Sequence, residues 1–117
     1  MTDFLHALYG DCGELWWYVW TLGAGGSAKY THWFQAQDIP RAAELCAATT
    51  EANVYYPIGL TAARGTPSQR ATIEQVQCLI GLVADIDHKP GGCPDETTAR
   101  TILQQIEHAP TYLVHSG

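Results

Sequence analysis

The sequence predicts an α/β domain, in detail α+β: a mixed sheet of about four strands with about three helices packed on it. Three features lead there. Apolar residues recur at helical spacing near 3–9, 38–46 and 95–106, aromatic and β-branched runs fill much of the chain between them, and glycine or proline punctuates the junctions. With 117 residues, 46% of them hydrophobic and 15% charged, the chain is sized for one compact domain, 1–117, and is unlike a disordered, collagenous or coiled-coil protein.

Taken in order, Asp3 to Tyr9 carries apolar residues at Phe4, Leu5 and Leu8 and meets Gly10, the pattern of a short helix with a glycine stop. Leu15 to Leu22 is aromatic and β-prone and reads as a strand, closed by Gly23, Gly25 and Gly26. That glycine-rich stretch lacks the spacing of a phosphate loop and reads as a flexible turn. Asp38 is placed to cap a helix that tolerates Pro40 in its first turn and buries Ile39, Ala42, Ala43 and Cys46. Val54 to Leu60 reads as a second strand, with Pro57 confining it to an edge or a bulge. Thr61 to Arg70 shows no apolar periodicity and is expected to be a loop carrying Arg64 and Arg70.

Val76 to Asp87 is nearly all apolar until Asp85-Ile86-Asp87, the pattern of a buried central strand whose end reaches a site. After the turn Pro90 to Pro94, Asp95 caps an expected helix with Ala99, Ile102, Leu103 and Ile106 on one face, and Pro110 closes it. Thr111 to His115 then reads as a strand. Strand, helix and strand in that order predict a crossover with parallel neighbours.

Bulk properties narrow the classes. No apolar run approaches the roughly 20 residues that cross a bilayer, and the N-terminus lacks the basic start and apolar run of a signal peptide, so the expectation is a cytoplasmic protein without a membrane span. Cys12, Cys46, Cys78 and Cys93 form no CxxC pair and read as thiols, not as zinc ligands. A net charge of -6 argues against a broad basic surface for nucleic acid, so any such contact is local or supplied by further sequence.

The residues with chemical content cluster late in the chain. On a strand, Asp85 and Asp87 point to one face, and two like charges that close call for a cation such as Mg²⁺. A pair of such ions about 3.5–4 Å apart clamps the attacking and leaving oxygens of a phosphoryl transfer. The bland alternative is a solvated turn. His88 and Lys89 follow directly; the histidine could serve as a further ligand or proton carrier but reads more readily as solvated, and the lysine could contact phosphate as a point charge or be an ordinary surface residue. His115 and Ser116 would emerge at the same sheet edge if their strand runs parallel to that of Asp85, and ligands collect at the carboxyl ends of such strands. Arg64 and Arg70 could close on phosphates or a template backbone or simply be solvated, and Trp16, Trp17, Trp20 and Trp33 could stack bases or fill the core.

The aromatic strand, Trp33-Phe34, Val54 to Leu60, Arg64-Gly65-Thr66, Leu82 to Lys89, a helix and Pro110 to Gly117 together resemble the start of a primase-polymerase of the archaeo-eukaryotic primase superfamily, in its RepB-like phage and plasmid branch. By that resemblance the fold is an incomplete primase-polymerase-like domain. Asp85 and Asp87 match the first motif, whose aspartates are catalytic and bind Mg²⁺ or Mn²⁺. His115, Ser116 and Gly117 match the opening of the second, which contacts the incoming nucleotide. The implied activity is template-directed nucleotidyl transfer in DNA replication, with nucleoside triphosphates and a DNA template as partners and a helicase as a further partner or domain. Arg64, Arg70 and Lys89 are then candidate phosphate or template contacts.

The second-motif histidine and a third-motif aspartate are absent from the chain, so it is expected to be a front portion, inactive alone, from a truncated frame, a split gene or an excised piece. Two alternatives compete. A haloacid-dehalogenase-like phosphatase also ends an apolar strand in DxD, but on its first strand and with a different following residue. A non-catalytic nucleotide- or protein-binding remnant would keep the fold without turnover.

Overall fold

The computed structural model describes residues 1–26, 28–86 and 89–113. It is a mixed α+β structure. Among the described residues, α1 (Thr2–Tyr9), β1 (Trp17–Gly23), β2 (Lys29–Phe34), α2 (Ile39–Ala48), β3 (Ala52–Tyr55), β4 (Gly59–Thr61), β5 (Val76–Leu79) and α3 (Glu96–Gln104) follow one another, with three short 3-10 turns between them. The chain divides into two compact units, the first Met1–Leu82 and the second from Val83 onward.

In the first unit, β1 is the central strand of a three-stranded antiparallel sheet ordered β2-β1-β3. Two glycines with positive φ, Gly25 at 71° and Gly26 at 74°, let the chain reverse between β1 and β2. Strand alternation sends Trp17, Val19 and Thr21 to one face, where Trp17 and Val19 join Phe34 and Leu60 against Leu5 and Tyr9 of α1 and Ile39, Ala42, Ala43 and Cys46 of α2. The two helices are thus held by one apolar face. Tyr9 locks it: its ring stacks on Trp17 with centroids 4.0 Å apart, and its buried hydroxyl donates to the Pro57 carbonyl at 2.7 Å. Burial pushes the phenol well above its ordinary range, which keeps it a neutral donor.

Pro57, lacking an N–H for a ladder, lies between β3 and β4 where the chain leaves one sheet for the other. β4 pairs antiparallel with β5, and an isolated bridge from Trp16 to Thr61 ties this pair to the start of β1. The second unit holds α3, capped by Asp95, whose carboxylate accepts from the Thr98 amide at 2.7 Å. Ala99 and Cys93 are buried.

The α/β class with three helices holds, and the arrangement differs from the expectation. Among the described residues there are two antiparallel sheets and no parallel pair, where one mixed sheet with a crossover was expected. The strand expected over Val76 to Asp87 stops at Leu79. A central strand needs cover on both faces, whereas β5 is mostly exposed and Leu82 and Val83 are fully and two-thirds exposed. Thr111 to Leu113 is irregular, and the rest of that expected strand, Val114 and His115, lies outside the described residues. Lys29–Phe34 is a strand that the pattern reading did not identify. Asp38 does not cap α2 with its side chain; its carboxylate accepts from the Gln35 amide at 3.0 Å and closes the preceding 3-10 turn. No helix among the described residues is long and apolar enough to cross a membrane.

Candidate functional site

The face of the three-stranded sheet turned away from the helices is built by the other half of the same alternation. Trp16, Tyr18 and Trp20, all half-buried, alternate with the core positions. Cross-strand register places Trp33 beside Tyr18, with centroids 5.0 Å apart, and Tyr55 beside Trp20, at 4.9 Å. Such pairs stabilise a sheet by roughly 0.5–1.5 kcal/mol each beyond area burial. The result is an aromatic surface spanning all three strands.

Residues 62–72 form a strap across this surface. The Thr61 hydroxyl donates to the Ala63 carbonyl at 2.8 Å where the strap begins, and Thr72 and Gln75 close a reciprocal cap where it ends, the Thr72 amide donating to Gln75 at 2.9 Å. Midway, the Thr31 amide on the outer edge of β2 donates to the Pro67 carbonyl at 2.8 Å, and the Trp33 indole N–H donates to the Thr66 carbonyl at 2.9 Å. Gly65 lies flat on the Trp33 ring, and a Cβ there would overlap it.

Two guanidinium groups come down with the strap. Arg70 sits over the Trp20 ring, 4.3 Å from its centroid, and Arg64 over Trp16 at 5.8 Å. Both arginines are exposed, and among the described residues neither has a carboxylate partner; the ion pairs there are Arg41 with Asp38 and Arg100 with Glu96. Tyr18, Gln69, Arg70, Ala71 and Thr72 line an open cleft of about 580 Å³. Burial pushes the Tyr18 phenol up, and the Arg70 charge pulls it part of the way back. The cleft therefore presents a guanidinium edge, a neutral phenol and a carboxamide beside aromatic faces. That set suits an anionic ligand with a flat apolar part.

The residues singled out from sequence fall into three groups. Arg64 and Arg70 are brought together on the aromatic face. Asp85 and Lys89 belong to the second unit, both exposed, Asp85 on irregular backbone and Lys89 opening a turn whose carbonyl accepts from the Gly92 amide at 2.9 Å. The same-face argument for Asp85, which needs a strand, therefore does not apply to it. Asp87, His88, His115, Ser116 and Gly117 lie outside the described residues. Asp85 offers a solvent-open carboxylate, the hard oxygen donor that Mg²⁺ or Mn²⁺ takes. Among the described residues no three His, Cys, Asp or Glu side chains gather as a metal site. The tryptophans divide: Trp17 is core, Trp33 is buried under the strap, and Trp16 and Trp20 face outward. Tyr18, Tyr55 and Gln69 were not anticipated, although the alternation from Trp16 to Trp20 already separates Tyr18 from the core positions.

Comparison of the chain with protein-family models, with curated proteins and with solved structures yields no match.

Proposed function

We propose that the chain is the front portion of a two-metal DNA primase-polymerase, a nucleotidyltransferase that joins nucleotides on a DNA template in the cytoplasm. The observation that carries the reading is the order of its motifs: an apolar run into Asp85-Ile86-Asp87, one helix, then Thr111 to Gly117. Supporting it, a single capped helix, α3, lies between the two motifs, and Asp85 is open to solvent where a ligand could be met.

In this reading Asp85 and Asp87 hold Mg²⁺ or Mn²⁺, His115, Ser116 and Gly117 contact the triphosphate, and Arg64, Arg70 and Lys89 serve phosphate or template. The bound ions would lower the pKa of the attacking 3'-hydroxyl and stabilise the departing pyrophosphate. Turnover requires the remaining motif residues from further sequence, and a helicase domain or partner would supply unwound template.

The test is Mn²⁺ binding in the presence of a nucleoside triphosphate, followed by electron paramagnetic resonance. Asp85→Asn and Asp87→Asn should each weaken metal binding by about tenfold or more. Unchanged binding in both variants would withdraw the catalytic reading in favour of a non-catalytic binding module.

A further inference from the structure

We infer that the outer edge of β5 is a self-association surface: two copies of this chain pair their β5 strands antiparallel, about a two-fold axis at Leu79, and join their two-stranded sheets into one of four strands. The contact draws on residues of the first unit alone and on none of the metal motif, so it holds or fails independently of the nucleotidyl-transfer reading.

The Ile80 amide donates inward to the Ile58 carbonyl at 2.9 Å, and successive residues of an antiparallel strand turn their N–H and C=O groups to opposite sides. Leu79, opposite Gly59 in the ladder, therefore turns both groups outward, to a side on which no described strand pairs with β5. The irregularity in the β4–β5 ladder lies at Thr61 and Val76, clear of Leu79. Natural sheets blunt such an edge with lysine, proline or another charge. From Gln75 to Leu82 there is none of these. The other outer strands of the unit are guarded: β2 gives its Thr31 amide to the strap at Pro67, and β3 starts directly after Glu51.

Side chains mark the same strip. Ile58, Ile73, Leu79 and Leu82 are four of the seven large apolar side chains exposed among the described residues of the first unit, so the exposure is concentrated around one strand. Leu79 is 54% exposed, and its cross-strand neighbour, Gly59, has no side chain to cover it.

Charge selects the occupant. Centred on Leu79, antiparallel self-pairing sets Cys78 against Ile80, Gln77 against Gly81 and Val76 against Leu82, so no charged side chain meets another. A second copy thus complements the strand at every position, although two chains of net charge -6 repel over the rest of their surfaces. A partner chosen by charge would need a charged strip to face, and this strand has none. An edge of this length with these side chains covers on the order of 500 Å² per copy, about 1,000 Å² for the pair, the lower end of specific interfaces. The dimer is therefore weak, with a dissociation constant in the micromolar range or above. Two-fold pairing uses up the edge of each copy, so association stops at two.

The experiment is sedimentation equilibrium of the full chain from about 1 to 300 µM, with a thiol reductant present because Cys78 is exposed. The mass is expected to rise from 12.8 kDa toward twice that value, and added salt should tighten the dimer by screening the like net charges. Leu79→Lys, and Leu79→Pro, which removes the outward donor, should each weaken association about tenfold or more. Tyr30→Lys, an equal change of charge on the guarded strand β2, should associate as the parent does. Circular dichroism checks that each variant is folded. A second measurement needs no variant: in the parent, the Leu79 amide should exchange with deuterium freely at low concentration and be protected at high concentration, while the Ile80 amide is protected at both. A chain that stays monomeric throughout, undiminished association in Leu79→Lys, equal loss in Tyr30→Lys, association that weakens with salt, growth beyond the dimer, or a Leu79 amide whose exchange ignores concentration would each overturn the assignment.

Discussion

Gly65 rests on the Trp33 ring, 32 positions earlier in the chain, with no room for a Cβ between them. Its φ is not in the left-handed region, so the requirement is for space and not for backbone freedom. Gly65→Ala should therefore cost about 1–3 kcal/mol by overpacking, read as a lower urea midpoint with unchanged slope. A loss below a few tenths would mean that the strap shifts freely. From sequence, Gly65 reads only as part of a loop, because nothing local marks a contact so distant. The same holds for Arg64 and Arg70: their charge and their loop are legible, but the indole faces that orient them are not. Trp17 and Trp20 are equally aromatic in sequence, yet strand alternation sends one to the core and the other to the opposite face, under Arg70.

Elements with strong local signals were legible. Pro40 and the spacing of Ile39, Ala42, Ala43 and Cys46 mark α2 and Gly10 marks the end of α1, whereas the single strand read over Val54 to Leu60, with Pro57 as an edge or bulge, is two strands in different sheets with Pro57 between them. β2 was missed because Lys29 and Tyr30 are exposed and only its second half is buried, so Lys29–Phe34 shows no clean two-residue period. The opposite error occurred at Val76 to Asp87, where an apolar run implied a long buried strand, whereas among the described residues the ladder ends at Leu79, Ile80 still packs on the core, and Leu82 and Val83 are exposed. Local composition proposes a strand, and only pairing makes one. Asp95 at the start of α3 is a case where local chemistry suffices: its carboxylate satisfies the Thr98 amide directly. Asp95→Ala should destabilise α3 by about 1 kcal/mol, seen as reduced helical chemical shifts over Glu96 to Arg100. Unchanged shifts would show that packing at Ala99, not the cap, holds the helix.

At the scale of the whole molecule, net charge hides the distribution that matters. Of the six basic side chains, Arg41 and Arg100 are engaged by carboxylates, while Arg64 and Arg70 share one aromatic face with no acid bound to either among the described residues. A balance of 12 acidic to 6 basic groups is legible in the sequence; its sorting between surfaces is not, because that depends on which way a strand turns its side chains. The division into two units was likewise not read from composition, since no run of glycine, serine or charge marks Leu82.

The hydrogen bond from Thr31 to Pro67 has a consequence for how the molecule opens. Thr31 sits in the outermost strand of its sheet, yet its amide is protected by the strap and not by another strand. Its exchange with deuterium should therefore follow strap opening, at a lower free energy than exchange of the β1 amides, which needs the sheet itself to part. The Trp33 indole proton, bound to Thr66, should exchange on the same clock. If the two protons instead exchange with the core of β1, the strap does not open independently of the sheet. A ligand anchored by strap residues would slow both protons together while leaving β1 unchanged, so a single backbone amide and a single indole would time the opening of the binding face from within.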